Sequence, residues 1–178
     1  RSVAEKTADF NASCKDIFFG ENAKVLVVDL TADATGNVSL LINGKTYFAV
    51  VNRGNAIIEI PDLSSGSYDV NVTYNGDLIY LPVSKSVEFS VKQIYPSMNI
   101  SSEVLKNGSV MINVELPKEA TGNVLINVND IFFNVNVTDG IAKLGINNLQ
   151  AGEYNVTAVY AGDNNYITAS AIDSFIVS

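Results

Sequence analysis

ATGNV, residues 34–38, returns letter for letter as residues 120–124, 86 positions further along the chain. One Ala, one Thr, one Gly, one Asn and one Val supply neither a nucleophile–base pair nor a set of metal ligands. The repetition is therefore read as the trace of a duplicated module and not as a chemical motif used twice. The same offset, carried outward without a gap, pairs Gly54 with Gly140, Leu63 with Leu149, Gly66 with Gly152, Tyr68 with Tyr154, Tyr74 with Tyr160, Asp77 with Asp163 and Phe89 with Phe175. The chain reads as two copies of one domain, residues 1–92 and 93–178.

Within each copy the apolar residues alternate, the period-2 signature of half-buried strands. Leu26, Val28 and Leu30 answer to Ile112, Val114 and Leu116. Val38, Leu40 and Ile42 answer to Val124, Ile126 and Val128, and Tyr47, Ala49 and Val51 to Phe133, Val135 and Val137. Ile58, Ile60, Tyr68, Val70, Val72, Tyr74, Phe89 and Val91 complete the first set. Asn43-Gly44 is a two-residue hairpin signal, because a type I′ turn needs positive φ at both positions, and Asn129-Asp130 is a weaker form of it. About seven short strands per copy, with no helical periodicity, imply an all-β chain: two tandem immunoglobulin-like β-sandwiches. In LSSGSYDVNVTY, residues 63–74, and LQAGEYNVTAVY, residues 149–160, a Gly (Gly66, Gly152) precedes a Tyr that opens a strand (Tyr68, Tyr154). That arrangement is expected to form a tyrosine corner. Within ATGNV, Gly36 and Gly122 turn the chain into the third strand.

Composition narrows the function. Of 178 residues, 47% are hydrophobic and 17% charged, a balance suited to packed cores. The net charge of −8 and the lack of a Lys/Arg cluster exclude a nucleic-acid-binding surface, which must neutralise phosphates. No apolar run approaches the roughly 18 residues of a membrane-spanning helix. His is absent and Cys14 is single, which removes the commonest general base, the commonest metal ligand and any internal disulfide. No catalytic residue, metal site or cofactor is expected, and the chain is read as non-enzymatic. Beginning at Arg1, it reads as a piece of a longer or processed protein.

DIFFGENAKVLVVDL (residues 16–30), ATGNVSLLINGKTY (34–47), LSSGSYDVNVTYNGD (63–77) and VEFSV (87–91) together resemble a bacterial Ig-like repeat of the group 3 type. Such repeats stand in tandem in adhesin-like surface proteins, including those of methanogenic archaea. The resemblance covers nearly the whole chain, once per copy. The second copy departs from it where Gly20-Glu21-Asn22 becomes Lys106-Asn107-Gly108 and where Asn43-Gly44-Lys45 becomes Asn129-Asp130-Ile131. It implies a cell-surface, extracellular stalk or adhesive repeat, with neighbouring repeats of the parent chain as partners, and it brings no catalytic residues. A surface glycan or protein ligand belongs to the other reading, a binding domain in its own right.

Seven N-x-S/T sequons stand at Asn11, Asn37, Asn71, Asn99, Asn107, Asn136 and Asn155. They are candidate glycosylation sites, although a strand with an Asn/Ser/Thr outer face and an apolar inner face writes N-V-T by itself. Asp77 and Asp163, in Y-x-G-D loops, are read as turn formers. So are Glu21, Asp62, Glu119 and Asp139, although tracing the strands up and down would gather several of these acids near one junction. Cys14, opposite Ile100 in the gapless alignment, is expected to be buried as a small hydrophobe. Lys24 and Lys85, on the apolar phase of their strands, are expected to snorkel and not to cross-link. Phe19, Phe48, Tyr95 and Phe132 are the aromatics that the core does not absorb, with Ile94 and Tyr95 in the short connection near Pro96.

An odd number of strands puts entry and exit at opposite ends of a sandwich. The sequence thus predicts two copies in line, each about 40 Å long with its loops. Small-angle scattering should give a maximum dimension on the order of 80 Å; a value near about 50 Å would mean side-by-side packing.

Overall fold

The computed structural model describes residues 3–178, and the chain divides into two compact units that meet between Lys92 and Gln93. Both are built of strands, apart from a short 3-10 turn at Lys106–Gly108.

The first unit contains β1 (Asn11–Cys14), β2 (Ile17–Phe18), β3 (Ala23–Val28), β4 (Asn37–Ile42), β5 (Lys45–Val50), β6 (Ala56–Ile60), β7 (Gly66–Tyr74) and β8 (Val83–Lys92). One sheet has the order β1-β3-β6 and the other β2-β8-β7-β4-β5. All pairs are antiparallel except β2 on β8, where Ile17 and Phe18 lie parallel to Val91 and Lys92. The second unit contains β9 (Asn99–Val104), β10 (Val110–Glu115), β11 (Asn123–Val128), β12 (Ile131–Asn136), β13 (Ile141–Ile146), β14 (Gly152–Tyr160) and β15 (Ala169–Val177). Its sheets run β13-β10-β9 and β12-β11-β14-β15, the first unit's pattern without a counterpart of β2.

Alternation does the folding. Val38, Leu40 and Ile42 of β4 turn inward to meet Val70, Val72 and Tyr74 of β7, and all are at most 5% exposed. Val124, Ile126, Val128, Val156, Ala158 and Tyr160 repeat that layer in the second unit. Burial of such side chains stabilises by about 1.5–3 kcal/mol each, the main term holding each sandwich closed. Both hairpin turns have positive φ at their two central residues: 51° and 76° at Asn43-Gly44, 46° and 68° at Asn129-Asp130. Asn and Asp tolerate that region, so the second turn keeps its form without a Gly.

The third strand of the first unit corrects the sequence reading. Leu26 and Val28 point outward, 36% and 38% exposed, while Ala23, Val25 and Val27 are fully buried. The gapless offset fails here. Val27 faces Ala56 and Val114 faces Ala142, so Val27 and Val114 are equivalent, one residue out of step with the rest. The extra residue lies in Val28-Asp29, where Asp29 takes a φ of 64° before Leu30 turns inward again. Glu115 alone fills the same interval in the second unit. The first strands slip by one residue more, for Ala12 faces Val27 as Ile100 faces Val114. Cys14 is consequently equivalent to Ser102 and not to Ile100. Lys24 moves to the outer face, 3.9 Å from Glu59. Lys85 keeps the inward phase at the start of β8 and reaches outward to Asp9 at 2.8 Å.

This register makes a sharp contrast between neighbouring residues. Val27→Ala should cost about 2 kcal/mol in chemical denaturation, from lost burial and the residual cavity. Leu26→Ala should stay within about 0.5 kcal/mol, as for an open surface position. Equal losses would return Leu26 to the core.

Candidate functional site

The groups that recur most faithfully in the two units gather around ATGNV, at the end of each sandwich where the ladder hydrogen bonds stop. Ala34 is buried at 4% exposure and Val38 at 0%. Gly36, φ 93°, brings its backbone against Gly76, where a Cβ would lie 2.9 Å from the carbonyl oxygen. Its own carbonyl accepts from Val51 N at 2.9 Å, and Asn37 O accepts from Asn75 N at 3.0 Å. Thr35 carries the rest. Its N–H and hydroxyl donate to Oδ2 of Asp77 at 2.8 and 3.0 Å, and its carbonyl accepts from the Tyr74 hydroxyl at 2.7 Å. The other oxygen of Asp77 accepts from Ile79 N and Tyr80 N at 2.8 and 2.7 Å.

The second unit reproduces this latch. Thr121 N and Oγ1 donate to Asp163 Oδ2 at 2.9 and 3.2 Å, and Asn165 N and Tyr166 N donate to Oδ1 at 2.7 and 2.8 Å. The Tyr160 hydroxyl donates to Thr121 O at 2.6 Å. Four N–H and O–H groups on one carboxylate favour its charged form. The Thr35 and Tyr80 N–H bonds hold Asp77 far below the ordinary carboxylate range. Burial works against ionisation at Asp163, but the bonds from Thr121, Asn165 and Tyr166 outweigh it and the pKa still falls. Tyr74 and Tyr160, buried with an anion nearby, are pushed up to about 12. The reading of Asp77 and Asp163 as turn formers captured their bonds to the next residues and missed the bond across 42 positions of chain.

The tyrosines expected to form corners lie near the start of β7 and β14. Gly66 and Gly152 precede Tyr68 and Tyr154, whose hydroxyls donate to Ser64 O at 2.6 Å and Gln150 O at 2.7 Å. Both rings are half-buried, stacked on Phe89 at 5.3 Å and on Phe175 at 5.0 Å between centroids. Tyr74 and Tyr160, six residues on, are the fully buried pair.

Of the sequon residues, Asn11, Asn71, Asn99, Asn107, Asn136 and Asn155 are exposed and Asn37 is half-buried. Asn11 donates its amide to Asp29 at 2.8 Å, and Asn37 accepts from Asn75 at 2.8 Å. Cys14 is half-buried, where burial was expected; its thiol contacts Lys15 O at 3.6 Å and burial raises its pKa. The carboxyl of Asp9, bonded to the Lys85 ammonium, is held below its usual pKa. That exposed ionic pair is the reverse of the neutral amine and protonated acid that an amide bond would require. Phe19 packs on the core, while Phe48 and Phe132 are 64% and 60% exposed on outer sheet faces and Tyr95 is exposed beside Pro96 and Met98. Among the described residues, no three His, Cys, Asp or Glu side chains are placed to hold a metal ion, and no helix is long and apolar enough to cross a membrane.

No family model and no curated protein matches the chain. Among solved structures it is similar to a two-domain fibronectin type III segment of chicken tenascin, at 11% identity over 97% of this chain and 100% of that one, with a TM-score of 0.52. The amphioxus IgVJ-C2 molecule is 15% identical over 90% of this chain and 98% of its own, TM-score 0.47. A bacterial ice-binding adhesin of 1.5 MDa is 15% identical over 97% of this chain and 65% of its own, TM-score 0.40. The tenascin likeness supports the fold: an all-β chain of two immunoglobulin-like β-sandwiches.

The latch gives stability a defined pH range. A carboxylate with a depressed folded pKa stabilises above its unfolded value of about 4. That contribution is lost as pH falls from there through the folded value. The tyrosines act in the opposite sense: their contribution is complete below about pH 10 and lost as pH rises through about 12. Thermal denaturation should show a plateau between these limits, and Asp77→Asn should lower it and flatten its acid edge. Tyr74→Phe, which strands the Thr35 carbonyl, should cost about 1–3 kcal/mol.

Proposed function

We propose that the chain is a non-catalytic pair of Ig-like repeats from a cell-surface, adhesin-like protein of the group 3 type, acting as a stalk or spacer. The observation that carries this reading is the duplicated latch. Two sandwiches of one ancestry keep the same buried tyrosine and the same four-fold bonded carboxylate, while most of their outward positions differ. What the two copies share is mechanical: a closed core and a fixed corner. The connection supports the same reading. Gln93, directly after β8, already bonds through its side chain to Asp163 O at 2.9 Å, and Ile94 bridges to Tyr166 within the second unit. The partners are neighbouring repeats of the parent chain.

A binding domain for carbohydrate or protein is the second reading. It is favoured by Phe48, exposed on one outer face where the other copy has Asn134. Aromatic rings on flat faces stack on sugars, and a change between copies is where specificity would enter.

A glycan array and a cell-binding assay separate the two. The spacer reading expects no saturable binding by this chain, together with surface labelling of the parent protein on intact cells. Binding that disappears in Phe48→Ala would transfer the function to the sheet face.

A further inference from the structure

The outer face of the β12-β11-β14-β15 sheet places one sequon between two exposed isoleucines. Asn155 of β14 stands directly opposite Ser174 of β15, so Ile172 and Ile176 flank it diagonally, about 7–8 Å away. Those two are 79% and 64% exposed, uncommon values for isoleucine in regular structure. The Asn155 backbone N–H donates to Asn129 Oδ1, while its side-chain amide has no hydrogen-bond partner among the described residues. Thr157, which completes the sequon, lies exposed on the same face.

The first unit supplies an internal comparison. At the equivalent of Asn155 it has Asp69, which opens no sequon, and at the equivalents of Ile172 and Ile176 it has Ser86 and Ser90. Where the sequon is missing, the flanking pair is polar; where it is present, the pair is apolar. One of the first unit's two sequons on the equivalent sheet, Asn71, falls one residue on from the Leu40–Val72 pair, beside Leu41, which is 63% exposed. At the second-unit counterparts of Asn71 and Leu41 stand Thr157, which opens no sequon of its own, and Asn127. At Asn155 and at Asn71, exposed apolar residues stand next to a glycosylatable Asn. An alternation that writes N-V-T by chance explains the Asn and leaves the isoleucines unexplained.

We propose that Asn155 carries an N-linked oligosaccharide whose inner sugars lie across Ile172 and Ile176. The inference rests on the cell-surface reading, since the modification belongs to exported chains. The donor is an oligosaccharide linked through its anomeric carbon to a polyisoprenyl phosphate or diphosphate. The Asn155 side-chain nitrogen forms the new bond to that carbon, the carbon–oxygen bond to phosphate breaks, the lipid phosphate leaves, and the amide gives up one proton. No electrons are exchanged. The C–H faces of the sugars then remove the isoleucines from water, a gain without charge or geometric demands on the sheet.

Two measurements test this. In the natural source, surface labelling and glycopeptide mass spectrometry are run on the same material. Labelled protein with sugar at Asn155 is the expected result. Labelled protein with Asn155 bare overturns the inference and leaves the surface reading standing, whereas unlabelled protein overturns both. In the second, the chain is secreted from cells that add N-linked sugars, once as it is and once as Ile172→Ser/Ile176→Ser, the residues the first unit uses. Enzymatic release of the sugar, with Asn155→Gln as the unmodified reference, should lower the melting temperature and increase binding of an apolar fluorescent dye. In the double Ser variant release should change neither. Equal shifts in both chains overturn the contact with the isoleucines. So does a dimer of the unmodified chain in sedimentation velocity that the double Ser variant abolishes, because a second copy would then be the cover.

Discussion

Each sandwich hangs on one carboxylate. At the end of each sandwich the backbone N–H groups of Thr35 or Thr121 have no ladder partner, and a corner must be made there without one. Asp77 and Asp163 reach across from the loop after β7 or β14 and take those N–H groups, while also closing their own turn. The tyrosine three residues earlier fills the space beneath and caps the carbonyl of the same threonine. An anion held by four donors is hard to replace. Asn could offer a single acceptor oxygen, and Glu would carry the group one bond too far. Four residues of ATGNV have their own reason to persist: the Thr bonds to the carboxylate, the burial of Ala and Val, and the close approach at Gly. The Asn is shared through its backbone carbonyl.

Much of the fold was legible because it rests on local period. Alternation in Val38–Ile42 and Gly66–Tyr74 could be satisfied by one orientation only. In Val25-Leu26-Val27-Val28 either phase offers an apolar face, so the pattern could not decide, and a left-handed Asp29 decided it. The two-residue strand β2 left no periodic trace and exists because Val91 and Lys92 offer it an edge. The latch was half visible. Asp77 shows its turn role in the sequence, but its partner is 42 residues away and is identified only when the strands are in place. Tyr74 was legible as core; where its hydroxyl goes was not.

The two units have diverged along a simple division. Inward positions exchange one apolar residue for another, Ile58 for Leu144 or Tyr47 for Phe133, and the layers still close. Outward positions exchange chemistry outright, as Ser39 for Leu125, Asp69 for Asn155 and Ser90 for Ile176. Packing constrains volume and polarity on one side of each strand, while on the other side only solvent judges. The faces are therefore where individual properties of a repeat accumulate.

The extra residue at Val28-Asp29 bears on life in a tandem array. Sister domains in one chain meet at high effective concentration, and similar strands invite exchange during folding. A β3 segment offered to the second unit would carry one residue too many between Val27 and Leu30. To seat Val27 correctly it would leave Leu30 displaced, and to seat Leu30 it would turn its valines to water. A single inserted residue thus makes each copy a poor substitute for the other, so that two neighbours of one fold are steered towards folding separately.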